Sequence, residues 1–278
     1  MSIYLIFNNL MVRRANMMQS PYLYAPVPVF PSVCTGHKLG CMLDCEVDGV
    51  GVVHHRAEPL IEQMAQMNQG SNRVNIVTSP IQFRGTPSGK QVNTKDPIGL
   101  PMQPTMTAHL EISLIFRVNG RVPTVEAARE AMQGLRIAGG SLNYISSRRV
   151  KLKDDLIGAL AEVSNGFWIS DAMHLVQQRL DEGFDPVSAI FQKADKGWYV
   201  PANLGYCAVT DFKQRQGGRT LVWEDGRVDE PEIALADNMI GLVRYDPLYG
   251  VKQELNSGGT VGMWHFDFTD DTFFVVKQ

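Results

Sequence analysis

Met106-Thr-Ala-His-Leu-Glu-Ile-Ser-Leu-Ile-Phe-Arg-Val118 is the clearest strand in the chain. Ala108, Leu110, Ile112, Leu114, Phe116 and Val118 alternate with His109, Glu111, Ser113, Ile115 and Arg117, the period of two that one core-facing side requires. The second face is mostly polar and reads as open to solvent or a ligand. Asn119-Gly120 turns the chain, and Val125, Ala128, Met132 and Leu135 make the apolar stripe of a helix over 123–135. That helix runs into Gln133-Gly-Leu-Arg-Ile-Ala-Gly-Gly-Ser-Leu142, which reads as a helix–strand junction. Gly139 and Gly140 permit φ > 0 and close backbone approach. Arg136 and Ser141 flank them as donors. A donor-rich loop poor in side chains suits a phosphate backbone. The same residues also describe a helix C-cap and a tight turn.

Upstream, Ile3 to Arg14 alternates loosely and reads as a first strand broken at Asn8-Asn9. A loop with Pro21, Pro26, Pro28 and Pro31 comes next, held extended by its prolines. With Arg13, Arg14, Asn16, Tyr22 and Tyr24 it could contact phosphates and stack bases, or its tyrosines could simply pack it down. Phe30 to Leu43 reads as a helix with Pro31 in its first turn. Cys45 to His55 reads as a strand in which Gly49 and Gly51 leave one face free for close packing or a bulge. Leu60 to Met67 fits a short helix or a bent strand. Residues 68–105 hold Arg73, Arg84, Lys90 and Lys95 against one acid, Asp96, among many prolines and polar residues. Such a stretch reads as a functional projection along a nucleic-acid backbone or as a surface loop.

The order is β-α-β-(insertion)-β-α-β. It predicts an α+β fold: a ferredoxin-like (RRM-like) βαββαβ core with a long loop insertion and a C-terminal α/β extension. The core takes residues 1–153, with 68–105 as a thumb-like insertion, and the extension takes 154–278. The RNP1 pattern is absent. In the extension, helices are expected over 154–164, 171–182 and 184–194. Strands are expected at 196–201 and 205–210. Gly262 to Phe268 alternates, with Trp264, Phe266 and Phe268 on one face.

Of the 278 residues 44% are hydrophobic, enough for a sizeable core. No apolar run is long enough to cross a membrane as a helix. The first residues read as a strand, not a signal peptide, so cytoplasmic residence is expected. The net charge of −3 hides a split: residues 1–153 carry 16 Lys/Arg against 9 Asp/Glu, and residues 154–278 carry 10 against 20. A basic half and an acidic half suggest one surface for a polyanion and another for different partners.

The sequence contains no dinucleotide, P-loop, zincin or nucleophile-elbow motif. Cys34, His37, Cys41 and Cys45 are spaced by three, four and four, but structural zinc sites usually close their shell from a second element, so no metal is expected. Asp154-Asp155 and Asp270-Asp271 read as caps and solvated ends. His54, His55, His109, Tyr22 and Tyr24 could supply the acid and base of a metal-independent ribonuclease, although their spacing selects none of them.

Several segments, in order, resemble a known family. They are Arg14-Ala-Asn16 with Ser20-Pro21, Glu46-Val-Asp-Gly-Val-Gly-Val-Val-His54 with Arg56, and Ala108-His-Leu-Glu-Ile-Ser-Leu114. Leu135-Arg-Ile-Ala-Gly-Gly-Ser-Leu142 and Gly197-Trp-Tyr-Val-Pro201 with Gly205-Tyr206 complete the set. It resembles the second Csy subunits of type I-F CRISPR surveillance complexes, Cas-five-like members of the RAMP superfamily. The segment after Asn256 and the helix at Phe30 to Leu43 depart from the family pattern. The resemblance implies a non-catalytic RNA-binding subunit with no cofactor. Such a subunit holds the 5′ handle of the CRISPR RNA, pairs with the large subunit and abuts the first backbone subunit, in a complex that finds target DNA by guide pairing. It implies RNA contacts at Arg13, Arg14, Asn16 and Ser20, and at Arg136, Gly139, Gly140 and Ser141, with His54, Arg56 and Arg84 as further candidates. Some relatives process the guide, so a metal-independent endoribonuclease is the alternative.

Overall fold

In a computed structural model of the chain, the clearest strand of the sequence lies inside a sheet that continues well past it in both directions. The structure describes residues 3–20, 23–65, 74–78, 82–83, 102–103, 106–191, 197–211, 213–214, 221–222, 228–229, 232–267 and 273–278. Eleven strands form the main sheet: β1 (Ile3–Asn16), β2 (Glu46–Pro59), β3 (Thr107–Asn119), β4 (Arg136–Ile137), β5 (Gly140–Leu142) and β6 (Val150–Lys153), then β7 (Phe167–Asp171), β8 (Trp198–Ala208), β9 (Ala236–Pro247), β10 (His265–Asp267) and β11 (Phe273–Lys277). Their order is β4-β5-β1-β3-β2-β7-β9-β8-β11-β10, with β6 also pairing β1. Every pairing is antiparallel.

This overturns the ferredoxin-like expectation. A self-contained βαββαβ core would end its sheet at β2. Here β7 adds to β2, with Phe167 opposite His54 and Trp168 opposite Val53, and β9, β8, β11 and β10 extend it further. Trp264 also bridges back to Val50 through backbone bonds of 2.7 and 2.9 Å. The two stretches read as separate strands around Pro201 are one strand, β8, with an irregularity between Asn203 and Gly205.

The helices are α1 (Val29–Leu43), α2 (Val125–Gln133), α3 (Leu156–Ala161), α4 (Met173–Asp181), α5 (Pro186–Phe191) and α6 (Leu248–Asn256). Thr124 caps α2 by accepting from the Ala127 N–H, and Asp155 caps α3 by accepting from the Gly158 N–H at 2.6 Å. Both faces of the central sheet are covered. Leu5, Phe7, Leu110, Leu114 and Phe116 share one core with Val33 and Leu39 of α1 and Met132 of α2. Ile6, Val53, Ile115 and Trp168 share a second with Leu160 of α3 and Val251 of α6. The polar-looking face of β3 is therefore interior at its centre: Ser113 and Ile115 are fully buried. Residues 61–65, undecided in the sequence, form a strand paired with Val74–Thr78. Among the described residues no helix is long and apolar enough to cross a membrane.

Gly51 shows why glycine interrupts β2. A Cβ there would lie 2.2 Å from the ring of Trp168, which is fully buried and has no room to retreat. Gly51→Ala is expected to cost about 2 kcal/mol through overpacking, read as a lower urea midpoint at unchanged m. A wild-type midpoint would mean that the Trp168 ring is not seated against β2.

Candidate nucleic-acid interface

The two segments that the sequence marks for RNA, one in the first strand and one after α2, are separated by more than a hundred residues. The sheet places them side by side. α2 ends at Gln133, and the chain then enters a two-residue hairpin between β4 and β5 rather than a helix–strand loop. Ala138 and Gly139 form its turn with φ of 48° and 73°. Two successive positive φ values make the tight turn whose twist suits flanking strands. The Asn16 N–H holds the turn by donating to the Ala138 carbonyl at 2.8 Å.

Gly140 seats this hairpin on β1. A Cβ there would meet the Arg13 carbonyl at 2.8 Å and the Ala15 nitrogen at 2.9 Å, at the irregularity of β1 between Val12 and Ala15. The glycine is buried, so it positions the site and does not itself reach a ligand. Arg14 lies within that irregularity with φ 56°, and its N–H donates to Nδ1 of His109 at 3.3 Å. Three left-handed backbone positions, Arg14, Ala138 and Gly139, thus meet at one sheet corner. Two of them are not glycine, and such backbone strain is typical of functional sites.

Register gives the corner its chemistry. Arg13 of β1 faces Ser141 of β5, and Ser141 faces Arg136 of β4. Directly opposed residues project to the same face. All three are exposed, as are Arg14 and Asn16. Among the described residues no acidic side chain pairs with Arg13, Arg14 or Arg136, whereas several other cations are matched. Arg117 pairs with Asp48 at 2.7 Å, Arg244 with Asp246 at 2.7 Å, and Lys151 and Lys153 grip Glu162 at 2.5 and 2.7 Å. The two lysines hold the Glu162 carboxyl down to about 2. The row Arg13–Ser141–Arg136 is thus uncompensated positive charge around a hydroxyl, a suitable arrangement for successive phosphates.

Other candidates are placed differently. Ser20 is buried. His54 is buried too, its Nδ1 3.0 Å from the Tyr245 hydroxyl and its Nε2 enclosed without a partner. Burial pushes the His54 ring down to about 4 and raises the Tyr245 phenol. Arg56 is exposed at an irregularity of β2 and lies 3.4 Å from Glu58. Arg84 and Tyr22 lie outside the described residues, as does most of 68–105. Tyr24 is 41% exposed. His55 has both ring nitrogens engaged, Nδ1 at 2.9 Å from the Asn165 carbonyl and Nε2 at 2.7 Å from the Ser113 hydroxyl. Ser113 in turn donates to Asn8 and accepts from the Asn9 N–H, both at 2.9 Å, which anchors the Asn8-Asn9 break in β1. Of the cysteine series, Cys41 and His37 approach to 3.9 Å, and among the described residues no group of three ligating side chains converges.

The model of the family described as CRISPR-associated protein (Cas_Csy2) matches residues 5–192, which include every residue of the row. The CRISPR-associated protein Csy2 of Pseudomonas aeruginosa (strain UCBPP-PA14) is 30% identical over 153 residues, 50% of this chain and 41% of that relative. The match thus spans less than half the length of the relative.

Proposed function

The chain belongs to the Csy2 family of CRISPR-associated proteins, and on that premise we propose that it is a non-catalytic subunit of a type I-F CRISPR surveillance complex, working in the cytoplasm. Its part is to hold the 5′ handle of the CRISPR RNA. The observation that carries this reading is the exposed row Arg13–Ser141–Arg136, assembled by strand register and left without acidic partners among the described residues. Arg14 and Asn16 extend it on β1. The acidic residues 154–278 face the protein partners, the large subunit and the first backbone subunit, while residues 68–105 lie along the guide. Target DNA is met through guide pairing, so this chain need not read its sequence.

His54 and His55 favour holding RNA over cleaving it. General acid–base work needs a ring nitrogen free to reach the 2′-hydroxyl. His54 is buried against Tyr245 and His55 is bonded at both nitrogens, while His109 has its Nδ1 engaged by the Arg14 N–H.

The test is binding of a 5′-handle RNA to the full chain across a salt series. Removing two phosphate contacts from a single strand lowers the slope of log K against log salt by ~1.4. The double variant Arg13→Ala/Arg136→Ala is expected to show that drop together with weaker binding at physiological salt. Unchanged affinity and slope would mean that the row is not the RNA site.

A further inference from the structure

Tyr144 is 76% exposed, the most exposed large apolar or aromatic side chain among the described residues. A lone aromatic on a surface needs no explanation. What sets this one apart is how its backbone is held. The Asn143 N–H donates to the Met11 carbonyl at 3.0 Å, which extends the β5 pairing past Leu142. Gln133, the last residue of α2, then spans the tyrosine from beneath. Its Nε2 donates to the Asn143 carbonyl at 3.3 Å, and its Oε1 accepts the Ile145 N–H at 2.7 Å. Ile145 is 2% exposed. The residues on both sides are thus pinned, one by the sheet and one by the core, and the ring between them is left in solvent.

Tyr144 lies just past the end of β5. Tyr144 stands three residues past Ser141, about 10 Å along an extended chain. On its other side come Arg148 and Arg149, both exposed, in the turn Ser147–Arg149. Arg149 Nη1 donates to the Asn9 carbonyl at 2.6 Å and ties that turn to the first irregularity of β1. Along the chain, the ring lies between the row Arg13–Ser141–Arg136 and this second arginine pair. Alternating cations and aromatic faces serve single-stranded nucleic acid, the cations taking phosphates and the ring taking a base. A ring on a fixed backbone also loses little conformational freedom when a base settles on it.

We propose that Tyr144 is a base-stacking platform for the RNA, mounted by the Gln133 amide, on which one nucleobase rests while its neighbouring phosphates lie against the arginines. This rests on the handle-holding reading above and adds to it a contact made through a base face.

The test compares Tyr144→Ala and Tyr144→Phe with Arg136→Ala, using full chain and handle RNA at several salt concentrations. Loss of one base–aromatic stack weakens binding by roughly five- to a hundredfold. Tyr144→Ala is expected to fall in that range with the salt slope unchanged, because no charge is removed, and Tyr144→Phe is expected to bind like wild type. Because the side chain is so exposed, neither substitution disturbs the core, and equal thermal midpoints verify that. Wild-type affinity for Tyr144→Ala beside a weakened Arg136→Ala would overturn the platform and leave the RNA row standing. Wild-type affinity for both would overturn the platform and the row together. A loss in Tyr144→Phe equal to that in Tyr144→Ala would also overturn it, since the hydroxyl and not the ring face would then be the contact.

Discussion

Trp264→Ala is expected to lower the unfolding free energy by about 4 kcal/mol, near the middle of the range for removing a buried aromatic side chain. The ring is fully buried in the larger core, and its Nε1 donates to the Ile169 carbonyl at 2.8 Å. Its backbone exchanges both bonds with Val50. One residue therefore joins the last segment of the chain to β2 and β7 at once. Trp264→Phe keeps most of the apolar contact and loses the indole donor, so it is expected to cost less than Trp264→Ala by about 1–2 kcal/mol. Urea unfolding of the full chain reads both. A loss below about 1 kcal/mol for Trp264→Ala would show that the segment after α6 lies outside the cooperative unit.

The second large effect depends on pH. Burial keeps the His54 ring neutral to about 4, against 6.5 for an exposed imidazole. Above 6.5 both folded and unfolded chains carry the ring uncharged, and His54 adds no pH dependence. Between 6.5 and 4 the unfolded chain takes up the proton and the folded one does not, so stability falls with falling pH. Integrated over that window, the loss approaches about 3 kcal/mol. Urea midpoints at pH 7 and pH 4.5 for wild type and His54→Gln isolate it, because other titrating groups contribute to both proteins. The variant is expected to lose less stability on acidification. Equal losses in the two proteins would mean that the ring is solvated and charges freely.

The parts of the chain whose periodicity reports a single covered face are legible in the sequence. α2 follows its apolar stripe, and β1 follows its alternation to the break at Asn8-Asn9. Gly51 and Gly140 are legible as close approaches, and the structure gives each a named neighbour. β7 is not legible. Phe167-Trp-Ile-Ser-Asp171 is five residues long, and Trp168 and Ile169 are both buried, on opposite faces, so no alternation announces a strand. β7 is the strand that pairs the acidic half with β2. The change of charge near residue 153 speaks to partners and not to strand pairing.

The row Arg13–Ser141–Arg136 is half legible. Arg13, Arg136 and Ser141 can be named as donors in two separate loops, but which strand β5 lies against is a long-range fact that spacing does not encode. Ser20 and His54 show the converse limit, since residue type does not state which way a side chain faces. Tyr144 stands in plain view in Ser-Leu-Asn-Tyr-Ile-Ser-Ser-Arg-Arg, between the glycines and the basic run. What distinguishes it is the amide clamp from Gln133, and that becomes visible only once α2 and β5 are packed together.

The junction between β2 and β7 has a mechanical consequence. β2 is zipped to β3 along its whole length, but it meets β7 at just two register pairs, Phe167 with His54 and Trp168 with Val53. A chain clamped to RNA at the β4–β5 corner and to protein partners at the far edge would carry tension across this seam. Between β1 and β8 every other junction has more register pairs, so within the body of the sheet this seam is the one that would part first. Trp264, bonded to Val50 on one side and Ile169 on the other, is the rivet across it.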